Sequence, residues 1–323
     1  MLNFPRSMAA LCVLLSACAA NAQVRIVNEP RTPAPEAAAS DPIAAKIIEA
    51  RRLLAAKRPE QAEKLLDGFL GSAESAGHPM TPEAHYLRGN ARLARGEEGE
   101  ALRDYEEIVK NYNASDFFPL ALERELDVAK LYLKGRRKKS LGLRIDSGIP
   151  LAEEILLRIN ERLPGSKLAE RALMELADFY ARTRDLPMAA ETYDVFVRVY
   201  PRSPMHARAM ERRVYATVAQ FKGPRYDASM LKDAAVQVEE FRARHPAAAQ
   251  ESGMTEALVA RLDESAAAAM LTTARWYIKR DDPVSARLTL SRLVRRHPRT
   301  GAAQEALAVM QDLERLLAPK ERP

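Results

Sequence analysis

The sequence predicts an all-α protein, an α-solenoid of about six helix pairs followed by a capping helix. Apolar residues recur with helical spacing in paired segments from about residue 42 onward. Glycine is scarce, at 13 of 323 residues, while Ala, Leu, Arg and Glu dominate, and this composition favours helices. The paired segments also share a fixed register, which indicates a repeat architecture.

The N-terminus predicts export. Residues 1–22 combine a positive Arg6, a short apolar run at 8–15 and small residues, as signal peptides do. Two cleavage sites remain open: an A-x-A site at 20–22, and a bacterial lipobox, LSAC, at 15–18, which we favour. Lipobox cleavage would leave Cys18 lipidated, whereas the alternative gives a soluble periplasmic protein. Residues 23–41, rich in Pro and Ala, are expected to form a flexible tether.

Small residues mark the repeat. Two antiparallel helices approach closely only where small side chains meet, and large side chains then fill the space beside the contact. An alanine opens this pattern in six second helices, and an aromatic or large apolar residue follows four and seven positions later. These alanines are Ala62, Ala101, Ala152, Ala189, Ala234 and Ala286. The small partners in the first helices are Ala50, Gly89, Ala129, Ala177 and Ala274, four of them twelve residues upstream.

This spacing resembles the tetratricopeptide repeat. It predicts helix pairs near 43–75, 82–113, 119–164, 168–201, 206–246 and 265–298, and a capping helix at 302–317. We therefore expect N-terminal repeats over 42–165, C-terminal repeats and the cap over 166–318, and a tail at 319–323. Trp276 and Tyr277 are expected to pack inside their repeat.

Two insertions interrupt the register and are candidate partner-contacting loops. The first, at 135–148, contains the basic run Arg136, Arg137, Lys138 and Lys139, and the second, near 221–227, contains Pro224, Arg225 and Tyr226. The basic run suits anionic lipid headgroups or an acidic partner, or forms a solvated loop.

The sequence lacks the signals of several function classes. Basic and acidic residues, 50 and 44 in number, are interspersed, which argues against nucleic-acid binding. Both cysteines, Cys12 and Cys18, lie near the N-terminus, and the histidines at 78, 85, 206, 245 and 297 lack metal-ligand spacing. No nucleophile-elbow, P-loop or dinucleotide-binding motif occurs. We expect neither catalysis, nor a metal, nor a cofactor.

Three stretches resemble the BamD family of outer-membrane lipoproteins, also called ComL or YfiO: the lipobox, residues 181–204 (ARTRDLPMAAETYDVFVRVYPRSP), and the repeat and cap over 261–310. The likeness covers roughly 150–315, and the N-terminal repeats add length. It implies a lipid-anchored protein on the periplasmic face of the outer membrane, whose partners are barrel insertase subunits and unfolded outer-membrane protein segments. The alternative is another periplasmic scaffold, either a YbgF-like envelope and division coordinator or a recruiter of an envelope biosynthesis complex.

Overall fold

The computed structural model describes residues 42–140 and 143–317, and within them the fold is all-α, as the sequence predicts. These residues form fourteen α-helices, a short 3-10 helix and one two-stranded sheet. The expected export signal, Cys18, the tether and the tail after 318 lie outside the described residues.

Contacts divide the chain into two units, Met1–Glu175 and Leu176–Pro323. The division falls inside α7, ten residues after the boundary that the repeat register suggests. The described elements of the first unit are α1 (Pro42–Ala55), α2 (Pro59–Leu70), the 3-10 helix (Ala73–Ser75), α3 (Thr81–Ala94), α4 (Glu98–Asn111), α5 (Phe117–Leu133), β1 (Arg137–Ser140), β2 (Leu143–Ser147), α6 (Ile149–Arg162) and the start of α7 (Lys167–Arg182).

The second unit contains the end of α7 and seven further helices. These are α8 (Leu186–Val199), α9 (His206–Val218), α10 (Ser229–Arg244), α11 (Pro246–Glu251), α12 (Glu256–Lys279), α13 (Pro283–Arg296) and α14 (Gly301–Leu317). Its last three helices enclose a core in which Ala274, Leu290 and Ala306 are fully buried.

Helices of a pair are separated by tight turns. A residue with positive φ ends the first helix at Lys57, Gly96, Arg184 and Asp281. Proline then occupies the first turn of the second helix in α2, α6, α8 and α13, where its missing N–H costs nothing. The Asp185 and Asp282 carboxylates also accept hydrogen bonds from the backbone N–H of Met188 and Ser285.

The small residues of the register lie at the contacts between helices. Gly89 in α3 is buried, and a Cβ there would lie 2.5 Å from Cε1 of Tyr105, so the α3–α4 contact needs glycine. Ten alanines of the register have 0% exposure: Ala50, Ala62, Ala101, Ala129, Ala152, Ala177, Ala189, Ala234, Ala274 and Ala286.

Two local expectations differ from the structure. The insertion at 135–148 contains a β-hairpin instead of a plain loop: β1 and β2 pair antiparallel, with Arg137 opposite Ser147. Arg136, just before β1, and Arg144 of β2 both donate to Glu98 of α4, which holds the hairpin against this helix. Pro246, the last residue of the predicted pair 206–246, begins an extra helix, α11, and α12 begins at Glu256, nine residues before the predicted pair 265–298. Proline is tolerated at that first helical position.

Candidate functional site

The second unit has an open cleft that α7, α8 and α9 line. Its volume is about 450 Å³. Ala181, Leu186, Ala216 and Ala219 form its apolar part, and Tyr215 adds an aromatic side chain that is 52% exposed. Small residues leave room here for a side chain of a bound molecule.

One face of α9 supplies most of the cleft. Arg208, Arg212 and Tyr215 of α9 and Ala219, the residue directly after its end, are spaced by four, three and four residues, so they lie along a single helical stripe. The stripe is cationic toward the helix N-terminus and apolar toward its C-terminus. Sequence reasoning missed it, because the repeat register identifies the buried residues of a pair and not its exposed face.

Asp178 fixes the polar end of the cleft. Its carboxylate accepts hydrogen bonds from Arg208 Nη2 at 2.7 Å, Arg212 Nη1 at 3.3 Å and the Tyr193 hydroxyl at 2.5 Å. Burial, with the Asp178 hydrogen bond, raises the pKa of Tyr193, so its hydroxyl stays a donor. Both arginine side chains remain about half exposed, which leaves other guanidinium N–H groups open to a ligand.

These features suit an extended polypeptide. The apolar part can accept an aliphatic or aromatic side chain, and the guanidinium groups can donate to backbone carbonyl oxygens or to a carboxylate.

The first unit has a buried ionic cluster at Asp104, which is 2% exposed. Its carboxylate accepts from Arg88 Nη2 at 2.6 Å and Arg92 Nη1 at 2.9 Å, and His85 Nδ1 lies 3.1 Å away. Burial alone would raise the pKa of Asp104, but hydrogen bonds from His85 and Arg88 outweigh it and hold that pKa below its usual value. The cluster joins α3 to α4 and is structural.

The basic insertion is divided between inward and outward residues. Arg136 Nε donates to Glu98 Oε1 at 2.9 Å, so this arginine is paired within the chain. For Arg137, Lys138 and Lys139, no carboxylate of the described residues lies within ion-pair distance, and Arg137 and Lys139 are exposed.

The second insertion begins two residues after cleft residue Ala219. Pro224, Arg225 and Tyr226 are all exposed, Tyr226 at 62%. The Asp227 carboxylate accepts from the backbone N–H and hydroxyl of Ser229, which fixes the start of α10.

Two further side-chain arrangements were not predicted from the sequence. His206 Nδ1 lies 2.8 Å from His245 Nε2, although 39 residues separate them. Burial, together with the nearby His245 and Arg244, lowers the pKa of His206. No group of three or more candidate metal ligands occurs in the described part of the chain.

Trp276 was expected in the core, but its side chain is 50% exposed, and the Arg280 guanidinium stacks on its ring at 4.9 Å from the ring centroid.

A family model, YfiO, described as outer membrane lipoprotein, matches residues 124–322, which is more than half of the chain. The chain belongs to this family. The match to YfiO begins in α5, upstream of residue 150, and contains the hairpin, the cleft and both insertions. Residues before 124 lie outside it.

The chain is also similar to a solved structure, the C-terminal part of a TPR repeat-containing protein from Cytophaga hutchinsonii. The two are 16% identical, the similarity covers 84% of this chain and 90% of that one, and the TM-score is 0.41. No curated protein matches the chain. Within 42–140 and 143–317, every helix is too short or too polar to cross a membrane.

Proposed function

We propose that this YfiO-family chain is a non-catalytic scaffold of the machinery that assembles outer-membrane β-barrel proteins. Its partners are then barrel insertase subunits and unfolded outer-membrane protein segments. Family membership supports the membrane context, and the single structural observation that carries the binding role is the open cleft beside α9.

Anchoring follows from the same proposal. Cys18 is the lipidation site, and the Pro- and Ala-rich residues 23–41 link the lipid to the folded units on the periplasmic face of the outer membrane. Changing Cys18→Ala then releases the protein from the membrane fraction. Undiminished membrane partitioning of that variant contradicts the anchor.

In the proposed binding mode, an unfolded client lies extended along α9. One of its apolar side chains occupies the space above Ala216 and Ala219 and packs on Tyr215, while Arg208 and Arg212 donate to its carbonyl oxygens. Such contacts recognise alternating apolar residues and polypeptide backbone, which membrane β-strands share, and need no specific sequence.

The test fills the cleft without disturbing the core. Ala219 lines the cleft and is exposed, so Ala219→Trp blocks the apolar part while the helix stays intact. Binding of synthetic strand segments from an outer-membrane barrel protein is measured by fluorescence anisotropy. We expect affinity to fall by on the order of tenfold, the effect of losing one central contact.

Ala260→Trp is the matched control, because Ala260 is exposed on α12 and does not line the cleft. It should bind the segments as the unmodified chain does. Equal binding by the Ala219→Trp variant would show that the cleft is not the binding site.

A further inference from the structure

The hairpin region carries a concentration of positive charge. Between Asp127 and Asp146 the chain has no acidic residue and seven basic ones: Lys130, Lys134, Arg136, Arg137, Lys138, Lys139 and Arg144. Charges elsewhere in the chain are mostly interspersed, so this run is a local feature that the repeat fold does not require.

Two of the seven attach the hairpin to the helices. Arg144 Nη2 donates to the Gly96 carbonyl at 2.7 Å and lies 3.0 Å from Glu98 Oε2, and Arg136 binds the same carboxylate. Glu98 is 2% exposed, and although burial opposes ionisation, hydrogen bonds including those from both arginines keep its pKa below the usual value. Glu98 therefore stays charged and fixes which side of the hairpin faces the protein.

Two aliphatic side chains of β2 are open to solvent. Leu143 and Ile145 flank Arg144 in the strand, at a point where the pairing with β1 shifts register. They are 63% and 56% exposed. Arg137 and Lys139 on β1 are exposed as well, and so is Asp146 of β2, which lies opposite Lys138. The hairpin therefore exposes aliphatic side chains together with more cations than anions.

An anionic bilayer surface fits this combination better than an acidic protein does. Aliphatic side chains enter the boundary between headgroups and acyl chains, while lysine and arginine contact phosphates, and diffuse negative charge requires no fixed geometry. A stable protein interface needs about 800 Å² from each partner. The four residues of β1 and five of β2 are too few to supply that area alone.

We infer that the hairpin docks on anionic phospholipid through Arg137, Lys138, Lys139, Leu143 and Ile145. The contact is additional to client binding at the cleft and to any lipid at Cys18. Because the family is one of outer membrane lipoproteins, the hairpin would meet a membrane surface at high effective concentration. Such docking holds the first unit against the bilayer.

Hydrogen exchange read by mass spectrometry tests the docking on the full chain. The chain is mixed with vesicles of phosphatidylcholine alone or of phosphatidylcholine with phosphatidylglycerol. We expect anionic vesicles to slow exchange of amides in residues 136–147 severalfold and neutral vesicles to leave it unchanged. A lipid anchor inserts into both vesicle types alike. The difference in exchange between anionic and neutral vesicles therefore measures the docking of the hairpin.

Two variants should each abolish that difference: Arg137→Gln with Lys138→Gln and Lys139→Gln, and Leu143→Ser with Ile145→Ser. Each basic residue near an anionic membrane contributes about fivefold in binding. Unchanged exchange of the helices in the same spectra shows that the variants are folded.

The matched control removes the same charge from exposed positions of the first unit, by Lys57→Gln, Arg58→Gln and Lys64→Gln. It should keep the full anionic response. The inference is overturned if 136–147 respond alike to both vesicle types, if the hairpin variants respond like the control, or if only an acidic protein protects these amides.

Discussion

Glu125 in α5 shows how one buried residue sets a pH dependence. It is 0% exposed, and neither carboxylate oxygen has a hydrogen-bond partner in the described structure. Burial raises its pKa to about 7, and the positive charges of Arg158 and Arg162 offset only part of that effect. The protonated form is therefore the one that the folded state favours.

Replacing Glu125 should remove a decline in stability between about pH 4.5 and 7. Because the pKa of Glu125 in the folded state lies above its ordinary value of 4.5, the native state binds more protons, so stability declines as pH rises from about 4.5 through 7. Glu125→Gln cannot ionise and should gain about 3 kcal/mol relative to the unmodified chain above pH 7. Urea unfolding at several pH values measures this gain.

At acid pH the two proteins should have similar stability, because a protonated carboxyl and an amide then occupy the same site. A stability difference that does not change between pH 4 and 8 would show that burial does not raise the pKa of Glu125.

At the scale of elements, the sequence predicts helix pairs well because their signal is local. The step from Ala177 to Ala189 defines where α7 and α8 touch, and both residues are fully buried. The hairpin is not predictable in this way. The hairpin is held to α4 by hydrogen bonds from Arg136 and Arg144 to Glu98, which lies 38 residues from the first and 46 from the second. Contacts between residues so far apart leave no periodic pattern in the sequence.

Gly89 and Gly68 give opposite expectations for the same substitution. Gly68→Ala on α2 meets nothing within 4 Å and should stabilise the chain by about 0.5–1 kcal/mol through helix propensity. Gly89→Ala contacts Tyr105, which is fully buried and donates to Asn90 Oδ1 at 2.9 Å, so it should cost about 1–3 kcal/mol.

Thermal unfolding of both variants decides this point. Equal melting temperatures for Gly89→Ala and Gly68→Ala would contradict the prediction. They would show that the α3–α4 contact has room for a Cβ beside Tyr105.

At the scale of the whole molecule, family and fold class could be predicted from the sequence, and the binding cleft could not. The cleft combines Leu186 and Tyr193 of α8 with a stripe on α9, so its residues come from two neighbouring helix pairs. The spacing of Arg208, Arg212 and Tyr215 is the one sequence signal that indicates an exposed face. Interpreting it requires knowing which face of α9 is buried.

The lipoprotein context and the cleft together lead to one central claim, that the chain binds proteins in barrel assembly. Co-purification of the full chain from solubilised envelope, with subunits identified by mass spectrometry, tests it most directly. We expect barrel insertase subunits in the captured set, and loss of client proteins for Ala219→Trp. Absence of insertase subunits, with subunits of a division or envelope biosynthesis complex in their place, would contradict it.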